Sequence, residues 1–167
     1  TLRFSSLKKR LPEAERQFQD VWSVAISGEN VYFSTNGRLF RLTSSGELTV
    51  ERGPGLLTRA YPAGEELYLS VASVGLMRYQ PNQWRKVPGG ERFSQIRISC
   101  VLPREGGSLL VGALDGFYQQ RNSRFEPWPN GAAELLKKSQ IYSCTATPFG
   151  LAVGTIQSGV VMLDRNG

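Results

Sequence analysis

The 167-residue chain has no histidine, only two cysteines and two methionines, and 14 acidic residues. Without an imidazole there can be no serine or cysteine triad of the usual kind, no histidine metal site and no histidine acid–base pair. Cys100 and Cys144 have neither the spacing of a metal knuckle nor that of a redox pair, so the redox compartment is left open. No run of about 18 apolar residues is present, so the sequence offers no candidate membrane-spanning helix. Thr1 is neither an initiator methionine nor the start of a charged and apolar leader, and the expectation from it is a mature or excised chain.

The formal net charge is +6, and half of that excess falls in residues 1–18, where Arg3, Lys8, Lys9, Arg10 and Arg16 outnumber Glu13 and Glu15. The remainder is scattered among turns with acidic neighbours, as in Glu51-Arg52 and Glu91-Arg92. That pattern is not the dense basic stripe that tracks a phosphate backbone, and nucleic acid is not an expected partner. What the chain does have is glycine: 18 of them, with nine prolines, separating short apolar runs. Such punctuation predicts many short strands joined by tight turns.

The strands repeat. VYFSTNGRLFRL from Val31 returns as LYLSVASVGLMRY from Leu67, LLVGALDGFYQQ from Leu109 and LAVGTIQSGVVML from Leu151. The shared glycines Gly37, Gly75, Gly116 and Gly159 are 38, 41 and 43 residues apart, and Ser34, Ser70, Gly112 and Gly154 keep step with them. A period near 40 with four strand signals per unit is the pattern of propeller blades. First strands are predicted at 21–26, 57–61, 98–102 and 142–147, each followed by a glycine loop and an apolar second strand. Asn36-Gly37 and Asp115-Gly116 predict two-residue type I′ hairpin turns. Second polar turns at 43–46, 80–83 and 122–124 lead to fourth strands LTVER, WRKVP and FEPWP.

The last unit stops after its third strand, while TLRFSS at the start of the chain reads as a fourth strand with no unit of its own. The expectation is therefore an all-β, single-domain β-propeller, 1–167, with four repeats of four antiparallel strands. Its units lie at about 20–53, 56–89, 96–130 and 140–167, the last completed by residues 1–6. Residues 2–6 are expected to pair antiparallel with 160–163, within the chain or in a symmetric partner, which removes exposed sheet edges. The alternative is an arc of a larger propeller. Short helices are expected in connectors, at 6–18 and 131–138.

DVWSVAISGENVYFSTNGRLFRL from Asp20, VGLMRY at 74–79 and IYSCTATPFGLAVGTIQSGVV at 141–161 together resemble the two-component regulator propeller repeat, over roughly residues 20–167. The chain departs from that pattern where Tyr32, Tyr68, Leu110 and Ala152 stand in place of the usual second-strand tryptophan. The resemblance implies a periplasmic or otherwise extracytoplasmic sensor propeller of a bacterial signalling protein. Such modules precede the membrane span and the kinase, hybrid-regulator or cyclase output, and some of them bind glycans. It also implies arrays longer than four repeats.

Candidate ligand contacts follow from the predicted ring. Trp22 and Tyr142 hold equivalent places at the start of first strands, near a ring face, with Arg59 and Arg97 nearby. Asn36, Ser73, Asp115 and Gln157 belong to turns brought to the same face, and loops at one end of a rigid scaffold are where binding concentrates. Trp84 and Trp128, on fourth strands, are expected to pack beside a neighbouring blade. Glu65 and Glu66 share a turn and are expected to be solvated, so they do not form the facing carboxyl pair of a glycosidase. Cys100 and Cys144, read as holding the same register of successive first strands, are expected to be neighbours but too far apart to bridge, hence buried thiols. No catalytic residue, metal ligand or cofactor site is identified. The expected function is a non-enzymatic sensory propeller binding a glycan or other small ligand, with a homodimer or a signalling protein as further partners. A protein-interaction scaffold is the second reading and a polysaccharide lyase the third.

Overall fold

A computed structural model describes residues 6–18, 20–164 and 167. It contains four antiparallel sheets, and each follows the chain in simple up-and-down order. The first blade is β1 (Ser23–Ser27), β2 (Asn30–Thr35), β3 (Arg38–Leu42) and β4 (Leu48–Arg52). The second is β5 (Leu57–Ala63), β6 (Glu66–Val71), β7 (Gly75–Gln80) and β8 (Gln83–Lys86). The third is β9 (Ile98–Pro103), β10 (Leu109–Ala113), β11 (Gly116–Arg121) and β12 (Arg124–Pro127). The fourth has β13 (Ile141–Thr147), β14 (Gly150–Thr155) and β15 (Val160–Leu163) among the described residues. The inner strands β1, β5, β9 and β13 pack successively against one another, which makes the molecule an all-β, four-bladed propeller. The expected strand supplied by residues 2–6 lies, apart from Ser6, outside the described residues.

Alternation places every second side chain on the face toward the following blade. Between blades one and two, Ala25, Tyr32 and Leu39 meet Ala60, Leu69, Met77 and Tyr79. Between two and three, Tyr61, Tyr68 and Leu76 meet Val101, Val111 and Tyr118 around Phe93, which enters from the connector ahead of β9. Between three and four, Cys100, Leu110, Phe117 and Trp128 meet Ile141, Val153 and Leu163, closed over by Leu136 of the one α-helix among the described residues, α1 (Ala133–Ser139). Full burial of a side chain the size of leucine contributes roughly 1.5–3 kcal/mol, so these three junctions carry most of the fold. Trp84 tilts against Tyr79 with centroids 5.0 Å apart, and Trp128 meets Phe117 edge-on at 5.8 Å.

Three expectations are corrected. The segment 6–18 forms two 3-10 turns, Leu7–Arg10 and Glu13–Glu15, with Pro12 between them, rather than a short α-helix. Neither Asn36-Gly37 nor Asp115-Gly116 is a type I′ turn: only the glycine of each pair has positive φ, at 78° and 147°. A pair of positive φ values occurs instead at Asn122 and Ser123, 46° and 64°, between β11 and β12.

The third correction concerns the cysteines. Cys100 and Cys144 form a disulfide with Cα atoms 5.6 Å apart. Cys100 pairs across its sheet with Gly112, but the residue that pairs with the corresponding Gly154 is Ser143, so Cys144 is one step further along. A one-residue offset turns a strand side chain to the opposite face. Cys100 therefore faces forward and Cys144 backward, across a single junction, where equal register would have aimed both the same way. Gly112 leaves the space: a Cβ there would sit 2.7 Å from the Cys100 Sγ.

Candidate functional site

The inner strands converge at the end where they begin, and three of them carry a bulge there. In β5, Leu57 pairs with Val71 and Arg59 with Ser70, leaving Thr58 unpaired. In β9 the odd residue is Ser99, between Ile98 and Cys100, and in β13 it is Tyr142, between Ile141 and Ser143. Trp22 holds the corresponding place before β1, where its backbone N–H donates to the Ser34 carbonyl at 2.8 Å. A bulge bends the strand and re-aims its side chain, and here it presents Trp22 and Tyr142 to solvent, 44% and 52% exposed.

Hydroxyls hold the seam between inner strands beneath this mouth. Ser23 Oγ accepts from the Ala60 N–H at 2.9 Å, Tyr61 Oη donates to the Ile98 carbonyl at 2.6 Å, and Ser99 Oγ donates to the Ile141 carbonyl at 2.7 Å. Burial raises the Tyr61 phenol far above its ordinary value, keeping it a neutral donor.

Two adjoining cavities open at the mouth. One of about 540 Å³ is lined by Trp22, Thr58, Arg59, Ser94, Gln95 and Arg97, among others. The other, about 450 Å³, draws on all four inner strands and shares Trp22, Arg59 and Tyr61 with the first. The Arg97 guanidinium lies 4.9 Å from the centroid of the Tyr142 ring and donates to the Ile141 carbonyl at 3.2 Å. Of the eight residues singled out from the sequence, the fold thus gathers Trp22, Arg59, Arg97 and Tyr142.

The other four do not line these two cavities. Asn36 lines a cavity of about 420 Å³ with Phe18, Arg38 and Arg52 at the edge of the first blade. Asp115 accepts from Tyr118 Oη at 2.8 Å and lines a separate cavity of about 230 Å³ beside Trp128 and α1. Ser73 sits in a tight turn at φ 64°, and its N–H donates to the Ser94 carbonyl at 3.1 Å. The Gln157 N–H donates to the Ser139 carbonyl at 3.2 Å. Sequence reasoning did not name Thr58, Ser94, Gln95 or Ile96 as part of the mouth. Thr58 was detectable, since it occupies the same place in its unit as Trp22 and Tyr142.

Fold and mouth together define a β-propeller with a concave, aromatic and cationic axial entrance. No protein-family model matches the sequence, and no curated protein matches it. Solved structures do match in fold. An extracellular domain assigned to a hybrid two-component system of B. thetaiotaomicron is 19% identical with a TM-score of 0.61, over 92% of this chain and 22% of that one. Virginiamycin B lyase from Staphylococcus aureus is 9% identical with a TM-score of 0.54, over 87% of this chain and 55% of that one. BamB from Moraxella catarrhalis is 16% identical with a TM-score of 0.53, over 86% and 49%. The chain therefore spans between about a fifth and about a half of the proteins it matches. At these identities the likeness is one of fold.

Proposed function

We propose that this chain is a non-enzymatic sensory propeller of a bacterial signal-transduction protein, working outside the cytoplasm and taking a small ligand, a glycan above all, at the axial mouth. The observation that carries the reading is the convergence of Trp22, Arg59 and Arg97 on one cavity, with Tyr142 stacked under Arg97. Exposed aromatic rings beside fixed polar groups are what a sugar ring requires: flat apolar contact on one face and hydrogen bonds at the rim. Three observations support it. The fold is shared with an extracellular domain assigned to a two-component system. The Cys100–Cys144 disulfide suits an oxidising compartment. The residues lining the mouth include neither a carboxylate nor a histidine to serve as acid or base. The likeness to a lyase is one of fold and brings no catalytic residue to this chain. Screening the protein against a saccharide array, with tryptophan fluorescence as the second readout, tests the reading. Binding that Trp22→Ala removes supports it. A blank array together with capture of a defined protein partner favours the scaffold reading instead.

A further inference from the structure

Among the described arginines, three form ion pairs, and of those that do not, two stand together in one cavity. Arg38, Arg52 and Arg78 are neutralised by carboxylates, the first two by Glu15 and the third by Glu66. Arg59 and Arg97 have no carboxylate partner among the described residues. Both belong to the mouth, and neither of the two adjoining cavities there has an aspartate or glutamate in its lining. Unneutralised cations in a concave site, with low-dielectric walls behind them, focus a positive potential into it. Arginine is also the residue whose planar fork matches a carboxylate in bidentate fashion.

The rest of the lining narrows the chemistry. Thr58, Ser70, Ser94 and Gln95 supply neutral donors and acceptors between the cations, and Trp22 supplies a flat apolar face. Hydroxyl-matching groups and an aromatic platform select a polyhydroxylated ring. Two guanidiniums in one cavity whose lining holds no carboxylate select one that bears an acid. From this geometry we propose that the ligand of the mouth is an acidic saccharide, a uronate-containing oligosaccharide whose carboxylate is held by Arg59 and Arg97 while a sugar face rests on Trp22. The inference rests on the sensory reading of the same mouth and adds the charge of the ligand. Trp22, Arg59 and Arg97 line a single cavity of about 540 Å³, within the size range of small-ligand pockets, so one ligand there can meet all three.

The test is calorimetric titration of the intact chain with trigalacturonate and a chondroitin tetrasaccharide as acidic probes and galactotriose as the neutral one. The expected result is binding of an acidic probe at least tenfold tighter than galactotriose. Arg59→Gln and Arg97→Gln should each weaken it about tenfold, and Arg59→Gln should do so with an unchanged melting temperature. Arg124→Gln, an exposed residue at the start of β12 away from the mouth, should leave it unchanged. If Arg124→Gln weakens binding as much as Arg59→Gln, the attraction is one of general charge and the inference is overturned. If galactotriose binds as tightly and only Trp22→Ala abolishes binding, the acidic inference falls while the sensory reading stands. If none of the three probes binds and a broad saccharide array is blank as well, both fall.

Discussion

Leu39, Leu76, Phe117 and Val160 occupy the same place in the four blades, each across its hairpin from Ser34, Ser70, Gly112 or Gly154. The first three are 1%, 1% and 3% exposed, and Val160 is 71% exposed. Met162 beside it is also exposed, as are Val24 and Ile26 on the face of β1 that looks away from the second blade. Three junctions thus hold buried apolar clusters, whereas the faces that flank the fourth-to-first junction are exposed at Val24, Ile26, Val160 and Met162. Identical strand chemistry gives opposite burial according to what stands opposite it, so repeat sequence determines the blade and the neighbour determines its energy. Part of the first blade's outer face is covered locally: Phe18 lies 4.9 Å from Phe40, centroid to centroid, and Leu11 is buried nearby. The fourth blade has no such cover among the described residues.

The widest contrast between packed and wet blades should come from one turn glycine. Gly75 has φ +106°, and a Cβ there would lie 2.1 Å from the Gly90 carbonyl oxygen, a backbone atom. Gly159, its counterpart in the fourth blade, has φ +67° and open space around it. Gly75→Ala should cost at least about 3 kcal/mol, combining left-handed strain with overpacking, whereas Gly159→Ala should cost about 1 kcal/mol from the strain alone. Equal costs in urea unfolding would show that the two turns experience the same surroundings and would break the comparison. Next in size is the side-chain pair itself. Leu76→Ala should destabilise by about 3 kcal/mol through the cavity it leaves, and Val160→Ala by under about 0.5 kcal/mol. A large loss at Val160 would mean that its face is covered in solution.

The blades were legible in the sequence because each depends on local chemistry: an apolar run, a glycine where φ turns positive, a polar turn. The four strands of each complete unit follow from that alone. The bulges were not legible. An extra residue in β5, β9 or β13 leaves no mark in composition, yet it sets which way every preceding side chain faces. The cysteine offset has a different source: β9 and β10 close at Pro103 and Leu109, whereas β13 and β14 close at Thr147 and Gly150, and the longer connection shifts Cys100 by one residue against Cys144 and so lets them bridge. The mouth was half legible. Trp22, Arg59, Arg97 and Tyr142 fall at the starts of inner strands, which position in the repeat reveals. The path of the connector carrying Phe93, Ser94, Gln95 and Ile96 into the same cavity depends on the gap between blades two and three, which no local pattern encodes.

The disulfide offers a smaller test, confined to one junction. It joins β9 to β13 and closes a loop with a sequence separation of 44 residues. Reduction, or a Cys100→Ser and Cys144→Ser double substitution, should lower stability by about 2–3 kcal/mol. The loss should appear as earlier hydrogen exchange in the fourth blade while β5 and β6 stay protected, because only the third-to-fourth junction loses its cross-link. Uniform loss of protection would show instead that the four blades unfold as one unit.

The smallest expected effect is one of pH, and it too distinguishes packed junctions from wet ones. Tyr61, between blades two and three, is raised in pKa by burial. Tyr79, between blades one and two, is raised first by burial and then by the Glu51 carboxylate to which its hydroxyl donates. In the unfolded chain both phenols ionise near pH 10. Above that pH the native state holds more protons than the unfolded one, so unfolding free energy falls as pH rises, whereas below it these groups contribute their full stability. For Tyr61 the slope approaches at most about 1.4 kcal/mol per pH unit above 10, the limit for a phenol that stays protonated in the folded state. Melting temperatures taken from pH 8 to 11 should therefore be flat and then decline. Tyr61→Phe should start lower, having lost the bond to the Ile98 carbonyl, and decline less steeply. An identical decline in the variant would place the alkaline sensitivity outside the packed junctions.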